Sequence, residues 1–311
     1  MRAEITRTAA VNLASEDPVA AATELNTEST AAVTQMTLPV STAPVSANLM
    51  VIWGRSQRWL VRGLAILGAL VFWHIAASQQ WDWIISFNNV PTPLQVGDEL
   101  IAQLQNDTFY THIVVSLKRI LIGYVLAAIS GIVIGVLMGR YAMMEDIFTP
   151  YIEILRPIPA VAWIPLAILM MPTEESSIVF ITYLGALFPI ILNTLHGVEQ
   201  TPSTLIRAAR SFGASDRAIL WHVVIPGAMP SIVAGLAIGM GVSWFSLLAG
   251  EIISGQYGIG YFTWAAYTLV EYPRIIIGML VIGALGTFST AVVKAVTKPL
   301  LRWQNHKEPK A

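Results

Sequence analysis

Apolar residues run along this chain in long blocks separated by short polar stretches. A bilayer core of about 30 Å is crossed by roughly 20 predominantly apolar residues in helical conformation. Five blocks meet or nearly meet that length, at 59–78, 113–139, 176–195, 231–253 and 275–297. A sixth, 151–172, is apolar but carries Pro157, Pro159, Pro165 and Pro172. Proline removes a backbone donor and kinks a helix, and membranes tolerate this only where neighbouring protein re-satisfies the backbone. The pattern therefore predicts an all-α membrane protein of about six transmembrane helices, the third of them bent or broken.

Composition agrees with the pattern. Of 311 residues, 55% are hydrophobic and 12% charged, about half the charged fraction of an ordinary soluble domain. Lys and Arg number 18 against 19 Asp and Glu, so no basic excess points to nucleic acid. With no Cys there is neither a disulfide framework nor a thiolate metal site. Residues 1–50 differ from the rest: 12 Ser or Thr, 11 Ala, five acidic side chains and no aromatic. Such a stretch buries too little apolar surface to offset the entropy of ordering, and is expected to be a disordered tail. The division is then a tail at 1–50, a transmembrane domain at 51–303 and a short second tail at 304–311.

The basic residues set an orientation. Six spans place both termini and the 196–230 loop on one side, which collects 15 of the 18 Lys and Arg. Lys118, Arg119 and Arg274 fall on the other. By the positive-inside rule the first side is cytoplasmic. On the outer side, the 79–112 loop carries four acidic and no basic residues, and its Pro93-LQVGDELIAQL segment reads as a short surface helix. Trp81, Trp83, Phe87, Tyr110, Tyr261, Trp264, Tyr267 and Tyr272 gather near span ends, as interfacial aromatic belts do.

Gly131, Gly135 and Gly139 repeat every four residues on one face, and Gly235 and Gly239 do so later, with Gly241 beside them. Small residues at this spacing let helix backbones approach closely in lipid. No catalytic set is assembled. The five His are scattered without a metal-ligand spacing, no phosphate-binding G-x-x-x-x-G-K-[ST] loop is present, and no cofactor is called for. Gly255-Gln-Tyr-Gly-Ile-Gly260 leads into no strand–helix unit and reads as a turn.

The long connection at 196–230, HGVEQTPSTLIRAARSFGASDRAILWHVVIPGAMP, is 35 residues where a handful would reverse the chain. Thr204–Phe212 has helical character, Gly213 interrupts it, and Ser215–Val224 resumes it with Ser215 as N-cap. Topology explains the charge of Arg207, Arg210 and Arg217 but neither the length nor the hinge. Arg207-Ala208-Ala209, then Gly213, then Val223-x-Ile225-Pro226 resembles the EAA motif of ABC importer permeases, with Arg207 at the usual Glu and Ile225 at the usual Leu. Ser116-Leu-Lys-Arg-Ile-Leu-Ile-Gly-Tyr124, Leu155-Arg-Pro-Ile-Pro-Ala-Val-Ala-Trp-Ile-Pro165, and Glu251 followed by Gly258-Ile-Gly260 are similar to the branch importing nitrate, bicarbonate, sulfonates and taurine. The resemblance covers about 90–300.

That resemblance implies a non-catalytic permease subunit of the bacterial inner membrane. It would pair with a second copy, sit above two ABC ATPase subunits, and receive a small anion from a periplasmic or lipid-anchored binding protein. It makes Ala208, Ala209, Gly213 and Ala214 the tight turn entering a groove of the ATPase, flanked by Arg207, Asp216 and Arg217. Arg207 is then expected to pair with an acidic residue of the ATPase or with Asp216. Polar residues in apolar spans are pathway candidates: Asn193, Ser243, Trp244, Ser246 and Glu251. Glu251 has two open readings, a gate or binding-protein contact, and a structural hydrogen bond. Lys118 and Arg119 also have two, attraction of an anion and snorkelling to headgroups. The alternative function, an ion-gradient-driven secondary transporter, calls for mid-span carboxylates and a repeated pair of broken helices.

Overall fold

The computed structural model describes residues 45–82 and 86–305. The tail expected at 1–50 lies outside the described residues as far as position 44, as do Trp83 and positions 306–311. The chain divides into two units, Met1–Gly68 and Ala69–Ala311. Helix α1 (Val45–Ser78) already begins inside the stretch assigned to the tail.

Among the described residues the regular structure is helical, and the single β feature is the Asp82–Ser86 bridge. After α1 come α2 (Pro93–Gln103), α3 (Asp107–Arg140) and α4 (Ala142–Leu155), then a 3-10 turn Ala160–Trp163 running into α5 (Ile164–Met170). These are followed by α6 (Glu174–Glu199), α7 (Ser203–Ser211), α8 (Asp216–Ile219), a π-helical turn Leu220–Val224 and α9 (Ile225–Ser254). The chain ends with α10 (Ile259–Thr268), α11 (Tyr272–Thr297) and a 3-10 segment Lys298–Asn305. Five helical stretches are long and apolar enough to cross a membrane, Leu60–Ser78, Asp107–Arg140, Glu174–Glu199, Asp216–Ile253 and Tyr272–Leu301. The α4–α5 pair makes a sixth if its two arms form one span.

Local chemistry sets the ends. α3 starts six residues before its apolar block because Asn106 caps it, its side chain accepting from the Thr108 N–H at 3.0 Å. Thr92 and Gln95 form a capping box at α2. The two arms Ala142–Leu155 and Ala160–Met170 meet at 86°. The break holds Pro157 and Pro159, whose rings lack the N–H that would continue the hydrogen-bond ladder of α4 and clash with the carbonyl one turn back. Pro165 sits in the first turn of α5, where its missing N–H costs nothing.

Within the second unit, α6 lies between α3 and α9. Its Leu187, Ile190 and Ile191 join Ile120, Tyr124 and Ala127 of α3 and Met240 and Leu247 of α9 in one buried cluster. Glycines bring the backbones together: a Cβ on Gly135 would stand 2.6 Å from Thr194 Cβ and 2.8 Å from the Ile191 carbonyl oxygen. Gly131 and Gly139 meet Ile190 and Val198 of α6, and Gly235 and Gly239 of α9 meet Asn193 and Ile190. Gly241 does not share this role, since a Cβ there would meet nothing within 4 Å.

At the far end of the bundle, α2 docks on α11. Val96 packs with Phe109, Phe262 and Ile277, and Arg274 Nε donates to Glu99 Oε1 at 2.7 Å. The guanidinium holds the Glu99 carboxyl below its ordinary value, helped by the Gln103 amide.

Two outcomes are expected. Gly135→Ala should lower the thermal stability of the detergent-solubilised chain by about 1–3 kcal/mol, the usual cost of overpacking, because a backbone carbonyl cannot move aside. Gly283→Ala, with nothing within 4 Å of the new methyl, should show no loss. Equal behaviour of the two variants would remove the close-approach argument. Because folding lowers the Glu99 pKa, the stability it contributes is complete above the unfolded value of about 4.3 and disappears as pH falls through the lower folded value. Hydrogen-exchange protection of α2 should therefore persist at pH 5 and fall below about pH 4. Glu99→Gln should abolish that step.

Candidate functional site

The hinge at Gly213 is built by backbone hydrogen bonds. The Ala214 N–H donates to the Ala209 carbonyl at 3.1 Å and the Gly213 N–H to the Arg210 carbonyl at 3.0 Å. Together these are the paired bonds of a Schellman cap, which needs a left-handed residue, and Gly213 supplies φ of +81°. Ser215 restarts the helix, its hydroxyl accepting from the Ala218 N–H at 3.3 Å. From Asp216 the chain runs as one helical stretch to Ile253, through the π turn.

The loop has two faces. Ile206, Ala209, Ala214, Leu220 and Val223 pack on a buried cluster of Val198, Ile219, Val224, Ala228 and Ile232. Arg207, Ala208, Gly213, Asp216 and Arg217 are exposed. So is Phe212, at 91%, an apolar side chain at the apex of the turn that motif matching passes over. Asp216 accepts from Arg140 Nη2 at 3.0 Å and Arg210 Nη2 at 3.3 Å. Arg140 closes α3, so this carboxylate ties the loop to the end of that helix. Its partner within the loop is Arg210, not Arg207.

A second constellation lies at the opposite ends of α3 and α9. His112, Ser116 and Arg119 fall at i, i+4 and i+7 and share one face of α3. Glu251, 0% exposed, accepts from the Ser116 hydroxyl at 2.7 Å, Arg119 Nη1 at 3.0 Å and the Gly260 N–H at 2.9 Å. Arg119 also donates to the Tyr257 carbonyl at 2.6 Å, and its Nε and Nη2 grip both oxygens of Glu175. Ser116 in turn accepts from the Ile259 N–H at 2.9 Å, and His112 Nδ1 from the Gly258 N–H at 3.1 Å. The 257–260 turn is thus fastened from both sides. Gly258 has φ of +120°, and a Cβ there would stand 2.3 Å from the Glu251 carboxyl carbon, which is the physical reason for glycine in the Gly258-Ile-Gly260 step.

Arg119 is 3% exposed. It neither snorkels nor faces an incoming anion, because two carboxylates and a carbonyl occupy it. Lys118 beside it is exposed.

The remaining span residues separate by direction. Ser243 donates to the Thr182 carbonyl at 3.4 Å, Ser246 lies against Gly185, and Asn193 donates to the Pro189 carbonyl at 2.8 Å. All three sit in the α6–α9 contact. Trp244 turns instead towards Gly286 of α11.

A bundle of long apolar helices carrying a rigid hinged loop at one end is the architecture of a membrane permease subunit. The family described as binding-protein-dependent transport system inner membrane component matches residues 131–304, and the chain belongs to it: it is an ABC transporter permease, a multi-pass inner-membrane component. A putative ABC transporter permease protein of Methanocaldococcus jannaschii is 41% identical over 174 residues, covering 56% of this chain and 65% of that protein. The nitrate import permease protein of Synechocystis sp. is 33% identical, covering 72% and 82%. The taurine transport system permease protein of Escherichia coli is also 33% identical, covering 77% and 87%.

Removing one member of a buried ion pair costs about 3–5 kcal/mol because the other charge is left unpaired. Arg119→Met should reach that range, read as thermal stability in detergent. Glu251→Gln should cost less, since Arg119 keeps Glu175, whose side chain is 62% exposed. Combining the two should cost less than their sum. Strict additivity would show that the pair is not coupled.

Proposed function

We infer that this permease is the transmembrane subunit of an ATP-driven importer of small anions, and that the Ser203–Val224 loop is its contact with the ATPase. The observation that carries the reading is the loop itself: a capped turn with small residues and one naked aromatic at its apex, tied to α3 through Arg140–Asp216. Ala208 and Gly213 leave room for a partner to come close, and Phe212 offers it an apolar anchor. The 15 basic residues on the loop's side of the membrane support a cytoplasmic location for it and for both termini. Two such chains, two ATPase subunits and an external binding protein make up the assembly. Relatives are named for the transport of nitrate, taurine and bicarbonate; the shared chemistry of these solutes is a compact oxyanion group. An ion-gradient mechanism calls for mid-span carboxylates, whereas Glu251 sits near the C-terminal end of α9 and is engaged by Ser116, Arg119 and the Gly260 N–H.

Co-expression with the neighbouring ATPase and binding protein, followed by ATP hydrolysis in proteoliposomes with nitrate, bicarbonate or taurine, tests this reading. Stimulation by a solute only when its binding protein is present is the expected result. Gly213→Asp should abolish that stimulation without affecting membrane insertion. Phe212→Ala should weaken ATPase association about 10- to 100-fold, corresponding to the roughly 1.5–3 kcal/mol of one buried Phe, with the permease's own stability unchanged. Normal association in Phe212→Ala would move the contact elsewhere.

A further inference from the structure

Three consecutive backbone donors open α10, and each meets a different kind of acceptor. The Ile259 N–H donates to the Ser116 hydroxyl and the Gly260 N–H to Glu251 Oε2, at 2.9 Å each. The Gly258 N–H donates to His112 Nδ1 at 3.1 Å. An imidazole nitrogen accepts only while it carries no proton. Since Nδ1 is the acceptor, Nε2 holds the proton of the neutral ring, and a second proton goes to Nδ1. The ring then has two N–H groups and no lone pair, and the Gly258 donor meets another donor. Gly258 is buried, so its N–H loses a partner without gaining water, which is costly. Charge acts in the same direction, because the imidazolium lies at the positive end of the α10 dipole.

We propose that His112 is a proton-sensitive fastening of the 257–260 turn, holding it while neutral and releasing it when protonated. The same turn carries the Tyr257 carbonyl that Arg119 grips at 2.6 Å, so its release loosens the end of the bundle away from the hinged loop. In the topology inferred above that end faces the exterior, and the signal is external acidity. Solvent reaches the ring: His112 is 7% exposed and borders a cavity of about 190 Å³ with Asn106, Thr108, Glu271 and Arg274. The surrounding charges do not exclude a proton. On its own helix Arg119 is matched by Glu251 of α9 and Glu175 of α6. Arg274 of α11 is matched by the preceding Glu271 and by Glu99 of α2. Each set holds two carboxylates against one guanidinium. Among the described residues these carboxylates pair with the arginines and none pairs with His112, so no fixed partner holds a charged ring in place. Tyr257 and Tyr261, with ring centroids 5.8 and 6.0 Å from the imidazole, are neutral below about pH 10.

This switch is independent of the solute's identity, so failure of the anion-importer reading would leave it standing. Hydrogen exchange of the full chain in lipid nanodiscs tests it, read as protection factors so that the intrinsic effect of pH cancels. The two conditions are about pH 7.5 and about pH 5.5, on either side of the ordinary imidazole value. Protection across 257–262 should fall about tenfold or more in acid, the scale expected when a buried donor loses its acceptor. Protection across 185–195, in the middle of α6 and without titratable side chains, should not change. His112→Asn places a non-titrating acceptor, Oδ1, where Nδ1 stands, and should keep protection in both conditions. His112→Phe keeps a ring without an acceptor and should leave the turn poorly protected in both. Equal wild-type protection across 257–262 in the two conditions would overturn the proposal, and so would an acid step of undiminished size in His112→Asn. A fall shared by 185–195 would mean general acid unfolding and would overturn it as well. Should the Phe variant fail to fold, the Asn variant still decides.

Discussion

Close backbone approach along α6 is the constraint on which the rest of the bundle depends. Lipid is as apolar as a leucine side chain, so burial from water does not drive these helices together. What remains is dispersion between well-matched surfaces, and that requires grooves. Gly123, Gly131, Gly135 and Gly139 cut the groove in α3, and Gly235 and Gly239 cut it in α9. Because α6 is seated in both, the two helices that carry functional groups at their ends are fixed relative to one another.

That fixed frame links two sites at opposite ends. The helical stretch from Asp216 to Ile253 begins at the hinged loop and ends two residues beyond Glu251. At one end Asp216 is tied to the last residue of α3; at the other Glu251 is tied to Arg119 of the same helix. α3 and the Asp216–Ile253 stretch are therefore braced by an ion pair at each end and by α6 between them. The loop pair is solvent-exposed and weak. The Arg119–Glu251 pair is buried, so the brace is firm at one end and yielding at the other.

Features that depend on neighbours in the sequence were legible there. Apolar block length located the long spans, prolines located the bent pair, and Gly213 and Ser215 marked the hinge because caps and turns are local chemistry. Features that depend on distant residues were not. Nothing local tells that Glu251 meets Arg119, 132 positions away, although polar residues at 112, 116 and 119 on one face of an apolar helix were an available signal. α10 was missed because ten residues are too few to span and carry no helical alternation. The adjacent alanines Ala208 and Ala209 are indistinguishable in sequence, yet Ala208 faces out while Ala209 faces the bundle. Gly241 looked like part of a packing face and instead opens a cavity.

The Arg119 ion pairs carry a consequence for biogenesis. Arg119 enters the membrane with α3, but Glu175 follows 56 residues later and Glu251 132 residues later. Until then α3 holds an unpartnered cation. On insertion scales an arginine at a helix centre costs about 2.5–3.5 kcal/mol, while each Leu, Ile or Val returns about 0.3–0.6. Between Ile120 and Leu137 α3 has eleven such residues, together roughly 3–7 kcal/mol. The aliphatic side chains of α3 thus offset the cost of Arg119 while the helix waits for its partners. Its aliphatic excess, which looks redundant in the finished bundle, serves the order in which the chain is made.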